Sequence, residues 1–228
     1  MQNIRLILFD IDGTLLDTHG AGRRAFARAV EQITGRPDDL SHISFAGATD
    51  LDLLRNLLAE IGREPSAEEE QLFIRTLAAE LEKDLVKSRV KVFPGVMTLM
   101  DALSKDQRIL VGLVTGNIDE GARVKLACAG LHGHFVLGAF GCEHADRQEI
   151  ARLAVQRAKE NLLPRQQIIR TFLIGDTPSD IRAARAIHAC PVGVATGRYD
   201  TEALRRAGAE KVFENLSDTP AVLEFLLG

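Results

Sequence analysis

The sequence predicts an α/β protein whose core is a doubly wound parallel sheet, interrupted after its first strand by an inserted block of helices. Three observations carry that prediction. Apolar runs at residues 4–9, 109–114 and 171–174 lack polar alternation beyond Arg5, so each reads as a strand buried on both faces. From Val92 onward strand-like and helix-like segments alternate, the pattern of right-handed βα crossovers. Between the first strand and that alternation, residues 22 to about 87 are helical in pattern with no strong strand signal.

Inside the helical block, Phe26, Val30 and Ile33 share one face of a first helix. Leu53, Leu54, Leu57, Leu58 and Ile61 line a second, which opens at Thr49 with Asp52 three positions on. Leu72, Leu77, Leu81 and Leu85 recur in a third, which starts after Pro65 and Ser66 and carries Glu68, Glu69 and Glu70 in its first turn, where acids favour the helix dipole. Such a block is expected to fold as its own small bundle, with residues 17–22 and 87–94 as hinges. The remaining elements follow in order: a strand at residues 92–93, a helix from Pro94, a strand at Ile109–Val114, a helix from Ile118 to Ala129 capped by Asn117, and a strand at residues 135–139. A helix then leads to the strand at residues 171–174. Thr177 and Pro178 open the next helix as cap and first residue. Strands at residues 192–195 and Lys211–Phe213, with a helix between, complete the pattern.

Composition excludes several classes. Over 228 residues, 46% hydrophobic and 26% charged content is ordinary for a soluble globular chain, and a net charge of −4 gives no support to a general nucleic-acid binder. The first apolar run stops at Asp10, which does not suit a signal peptide, and no segment is long and apolar enough to span a membrane. Cys128, Cys142 and Cys190 are odd in number and lack metal-ligand spacing, so they are expected to be reduced thiols in a cytoplasmic protein. The expected partner is a small molecule rather than nucleic acid or membrane, for a monomer or homodimer.

The strand ends carry the chemistry. Asp10 ends the first strand, where open α/β sheets place their ligands, and Asp12 follows it before a tight turn at Gly13 and Thr14. Two acids so close are costly unless a cation is bound or one holds a proton. The second strand ends in Thr115, Gly116 and Asn117, and the third in Gly175 and Asp176, with Asp180 following. If the three strands are parallel neighbours, carboxylates for a cation meet a hydroxyl and helix-start N–H groups for an anion. That combination describes a site for a metal-bound phosphate. Each motif also has a plain reading: a solvated acidic turn, a strand-to-helix turn, and in Asp180 a first-turn dipole acid.

The ordered set Asp-x-Asp-Gly-Thr-Leu, hydrophobic-Thr-Gly-Asn and Gly-Asp-Thr-x-x-Asp resembles the haloacid dehalogenase superfamily, nearest to its phosphoglycolate phosphatase and β-phosphoglucomutase branch. The resemblance implies a Rossmann-like core over residues 1–17 and 88–228 and an inserted helical cap over 18–87. It implies a Mg²⁺-dependent phosphatase that passes through an aspartyl-phosphate. Asp10 would be the nucleophile. Asp12 would protonate the leaving oxygen, then activate water. Asp10, the Asp12 main-chain carbonyl and Asp176 would hold Mg²⁺, with Asp180 bracing the cluster or orienting a metal-bound water. Thr115, Gly116 and Asn117 would bind phosphoryl oxygens. The family's lysine, often followed by proline, has no counterpart. Arg147 stands closest to its place and would bind a phosphoryl oxygen, its plain reading being a surface pair with Glu143 or Glu149. Lys125 is the other candidate, but inside the helix after Asn117 it is expected to pair on that helix's surface. A dehalogenase would lack Asp12. A phosphomutase would share every core residue, and a non-catalytic phosphate-sensing scaffold is the reading from another class.

Overall fold

The computed structural model describes residues 2–85 and 90–228. Strand β1 (Gln2–Phe9) lies at the centre of a six-stranded, all-parallel sheet. With β4 (Ile109–Val114), β5 (Leu137–Ala139), β6 (Gln166–Gly175), β7 (Cys190–Val194) and β8 (Lys211–Phe213), its order is β5-β4-β1-β6-β7-β8. The alternation along β1 feeds two separate cores. Ile7 and Phe9 point to one face, packing with α4 (Val96–Leu103), α5 (Asp119–Ala129) and α9 (Thr219–Leu227). Leu6 and Leu8 point to the other, against α6 (Arg147–Glu160) and α7 (Pro178–Ala186). A strand covered on both faces has no use for polar alternation, which is why its sequence reads as an unbroken apolar run.

Register decides what meets at the sheet's edge. Phe9 is level with Leu113 on β4 and with Ile174 on β6. Asp10 follows Phe9 directly, while Thr115 and Asp176 each stand two residues past its partners, so the three emerge on adjoining strands at the carboxyl ends and line one cavity. The predicted neighbourhood of the three motifs is therefore the observed one.

Helices α1 (Ala21–Thr34), α2 (Asp50–Glu60) and α3 (Ala67–Asp84) enclose a third apolar cluster of their own, built on Phe26, Leu54, Leu58, Phe73 and Leu77. Edge-to-face contacts of Phe26 with Phe45 and Phe73 centre it. Ser66 and Glu69 cap α3 reciprocally, and Thr49 caps α2 by accepting from the Asp52 N–H. Two details differ from the sequence reading. Ile61 follows the end of α2 and is 54% exposed, and Phe73 rather than Leu72 fills the bundle's centre.

Residues 92–93 do not join the main sheet. Val92, with Lys91, forms β3 (Lys91–Val92), which pairs antiparallel with the unpredicted β2 (Leu16–Asp17) in a two-stranded ribbon. Both strands are two residues long, too short for any periodicity to show. The ribbon ties the chain's exit toward α1 to its return from α3. The expected division at residues 87 and 88, and the first part of the second expected hinge, lie outside the described residues. Several strands are longer than or shifted from their apolar runs, and α8 (Thr201–Ala207) fills the expected helix before β8. The terminal α9 was not anticipated. Among the described residues no helix is long and apolar enough to cross a membrane. The three cysteines are free thiols.

Candidate active site

The carboxyl ends of β4, β1 and β6 form the floor of a cavity of about 450 Å³, roofed by the loop before α2 and by α3. Its size is that of a small-molecule site. Asp10, Asp176 and Asp180 bring one carboxylate oxygen each within 4.8 Å of the others, all three residues being buried. Burial comes first in raising the Asp10 carboxyl above its ordinary range, followed by the neighbouring Asp180 and Asp12, with Arg147 opposing. Asp176 is raised likewise, by burial and then by Asp180 and Asp10.

Arg147 occupies the middle of this cluster. Its Nη2 lies 2.6 Å from Asp10 Oδ1 and its Nε 2.8 Å from Asp180 Oδ1, and it also donates to the Val114 carbonyl at 3.3 Å. Burial works against its charge, yet the facing carboxylates hold it protonated more firmly than a free guanidinium. It does not pair on the surface: Glu143 is taken by Arg157, and Glu149 by Arg152.

Asp180 combines both readings offered for it. One oxygen closes the α7 capping box, accepting from the Thr177 N–H at 3.0 Å and the Thr177 hydroxyl at 2.7 Å. The other, Oδ1, is buried against Arg147 without a well-directed hydrogen bond. An oxygen so placed, beside two further buried carboxylates, is suited to a hard divalent cation, which would offset their mutual repulsion. The residues present thus fit a metal such as Mg²⁺.

Asp12 stands on the other side of the cavity, with its side chain 43% exposed. Both of its oxygens accept from Lys125 Nζ, at 2.8 and 2.6 Å, and Oδ2 also accepts from Asn117 Nδ2 at 2.7 Å. This corrects two expectations. Lys125 is buried in the site instead of pairing on the helix surface, because the α5 face that carries it turns toward Asp12. Asn117 does not cap α5. Its amide is spent on Asp12 and Thr115, and the helix begins after Ile118, whose N–H is met by Asp50 Oδ2 at 2.9 Å.

The phosphate-binding candidates differ in what they have free. Thr115 Oγ1 accepts from the Asn117 N–H at 3.3 Å and from Asn117 Nδ2 at 2.7 Å, leaving its own proton to donate. Gly116 also lines the cavity. The Asn117 N–H, turned toward Thr115, is the weaker candidate.

Other contributors escaped the sequence reading. Thr14, read only as part of a turn, donates to Asp176 Oδ1 at 3.2 Å. The segment from Gly193 to Gly197 also supports the site. The Thr196 hydroxyl donates to the Gly13 carbonyl, and a Cβ on Gly197 would lie 1.8 Å from Asp176 Oδ2. Gly13, at φ +80°, is equally constrained, since its Cβ would lie 2.4 Å from the same oxygen. The signal for these was a glycine at each strand end; what pressed on it was not readable.

Comparison with known proteins agrees with this architecture. The family model for haloacid dehalogenase-like hydrolases matches residues 7–194. The chain is 28% identical to "Probable phosphatase IndB" of Dickeya dadantii, over 97% of this chain and 94% of the relative. It is 26% identical to a phosphoglycolate phosphatase of Agrobacterium fabrum over the same shares. The crystal structure of a hydrolase from Pseudomonas syringae superposes with a TM-score of 0.71 at 22% identity, covering 99% of this chain and 100% of that one. The central Asp10 strand, the ordered motifs and the family match over most of the chain lead to one assignment: this chain belongs to the haloacid dehalogenase-like hydrolases.

Proposed function

We propose that this protein is a Mg²⁺-dependent phosphatase that hydrolyses a small phosphorylated metabolite through an aspartyl-phosphate on Asp10. The observation that carries the reading is the position of Asp10: a buried carboxylate at the end of the central strand, with Thr115 and Asp176 on the adjoining strand ends and Arg147 against it.

Uncatalysed hydrolysis of phosphate monoesters is among the slowest of reactions, so positioning and charge neutralisation have to supply most of the acceleration. Asp10 Oδ attacks phosphorus and the bond to the leaving oxygen breaks, Asp12 giving that oxygen its proton. In the second half Asp12 takes a proton from water, the water oxygen attacks phosphorus, and Asp10 is released with inorganic phosphate. Arg147 holds Asp10 in place, and Thr115 and Gly116 donate to the transferring oxygens. The carboxylates of Asp10, Asp176 and Asp180, with the Asp12 carbonyl, would hold Mg²⁺, which supplies neutralising charge at the phosphoryl oxygens when bound. Helices α1–α3 act as a cap that excludes water and reads the organic part of the substrate. The relative named phosphoglycolate phosphatase makes phosphoglycolate the first metabolite to assay.

The test is turnover of p-nitrophenyl phosphate with Mg²⁺ and with EDTA, followed by a panel of phosphorylated metabolites. Mg²⁺-stimulated turnover, absent in Asp10→Asn, is the expected result. Full activity in EDTA, or in Asp10→Asn, would overturn the reading.

A further inference from the structure

Lys125 is a buried cation that the mechanism above does not use. An ammonium has three protons to donate, and here the acceptors are Asp12 Oδ1 at 2.8 Å, Asp12 Oδ2 at 2.6 Å and Asn117 Oδ1 at 2.6 Å. Short, charge-assisted contacts to both carboxylate oxygens fix a side chain that would otherwise swing freely at the cavity wall, since Asp12 is 43% exposed and Lys125 only 6%. No proton of Lys125 is left for a phosphoryl oxygen. Asn117 completes the clamp: the amide that accepts from Lys125 donates to Asp12 Oδ2 and to Thr115 Oγ1, each at 2.7 Å. A single hydrogen-bonded chain therefore runs from Lys125 to both the acid–base residue and the phosphate-binding hydroxyl.

We propose that Lys125 is a positioning residue that holds Asp12 as an aimed carboxylate for the water-activating half of the reaction. This rests on the phosphatase reading, but concerns which of its two halves Lys125 serves. In the first half Asp12 must deliver a proton, and contacts that bind its ionised form do nothing for that delivery. In the second it must accept one from water, and a carboxylate fixed in place is what that step requires. Misplacement of a reacting group by about 1 Å can cost about 100-fold.

The experiment is pre-steady-state and steady-state hydrolysis of p-nitrophenyl phosphate by wild type, Lys125→Met and Lys125→Gln. The good leaving group makes the first half nearly independent of Asp12's proton. For Lys125→Met we expect a burst of p-nitrophenol equal to the enzyme present and a fall in kcat of about 10- to 100-fold. KM should fall with it, leaving kcat/KM near the wild-type value. Lys125→Gln, which keeps a donor, should lie between the two, and carries the test if Lys125→Met does not fold. On an Asp12→Asn background Lys125→Met should add nothing. A fall in kcat/KM without a burst, or an additive effect with Asp12→Asn, would overturn the proposal. The crystal structure of the Lys125→Met protein gives an answer independent of activity. Asp12 should leave its present rotamer, and an unmoved Asp12 would overturn the assignment even if the wild type proved to be no phosphatase.

Discussion

Arg147 bridges Asp10 and Asp180, at 2.6 and 2.8 Å, and so joins the end of β1 to the first turns of α6 and α7 through one buried guanidinium. A cation in the first turn of a helix opposes the dipole by about 0.3–1 kcal/mol, which two carboxylates readily offset. Removing one partner of a buried ion pair strands the other and typically costs about 3–5 kcal/mol. Arg147→Met should therefore lower the urea midpoint markedly as well as reducing kcat/KM by orders of magnitude. Arg147→Lys should recover part of both, because a single ammonium cannot reproduce the fork that reaches two carboxylates. A midpoint equal to wild type in Arg147→Met would show that the pair carries no structural weight.

Asp10→Asn keeps the shape of the side chain but removes the nucleophile and one anionic oxygen from the acid cluster. Turnover should fall to background while circular dichroism stays unchanged. Asp12→Asn should retain Mg²⁺ affinity, measured by calorimetry, and lose about 10²- to 10⁴-fold in rate on alkyl phosphates, the usual contribution of general acid–base catalysis. Undiminished turnover of alkyl phosphates by Asp12→Asn would remove it from the mechanism.

The crowded acids also set a pH dependence of stability. Asp10 and Asp176 have folded pKa values raised above those of the unfolded chain, to about 7 and about 8. Between about pH 4 and those values the folded state binds more protons than the unfolded one, so this contribution falls as pH rises. Without metal, Tm should decline from pH 5.5 to pH 8.5, and the decline should be shallower in Asp176→Asn. Adding Mg²⁺ should raise Tm most at pH 8.5, where protons compete least for the carboxylates. A metal-induced rise that is larger at pH 5.5 would contradict this account.

Much of this site was legible in the sequence, for a physical reason. Strands buried on both faces advertise themselves as apolar runs, and a polar residue at the end of such a run has little choice but to sit at the sheet's edge. Asp10, Thr115 and Asp176 were found that way. Lys125 was not, because helical periodicity gives the face of a residue only relative to its own helix, and not to a partner 113 positions away. The two-residue ribbon of β2 and β3 and the pressure of Gly13 and Gly197 on Asp176 depend on tertiary approach, which leaves no periodic trace.

The seam between the helical bundle and the sheet is built on contacts of the same kind, and it too can be tested. The Asp50 N–H donates to the Gly116 carbonyl at 2.8 Å, while Asp50 Oδ2 accepts from the Ile118 N–H at 2.9 Å at the start of α5. A Cβ on Gly116 would lie 2.0 Å from the Ala48 carbonyl oxygen, and a backbone atom cannot yield as a side-chain tip can. Gly116→Ala should therefore lift the loop before α2 off the sheet edge. Burial raises the Asp50 carboxyl to about 6, ahead of the opposing pull of Lys125. Because that value exceeds the unfolded one, the carboxyl's contribution to stability falls from about pH 4 to about pH 6. Asp50→Asn, whose amide oxygen can still accept from Ile118, should flatten that part of the Tm profile. With the seam loosened in Gly116→Ala, kcat/KM for the best metabolite in the panel should drop more than that for p-nitrophenyl phosphate, since contacts to the organic part are lost with the roof. Equal losses on both substrates would place Gly116 in phosphate binding alone and leave the bundle without a role in selectivity.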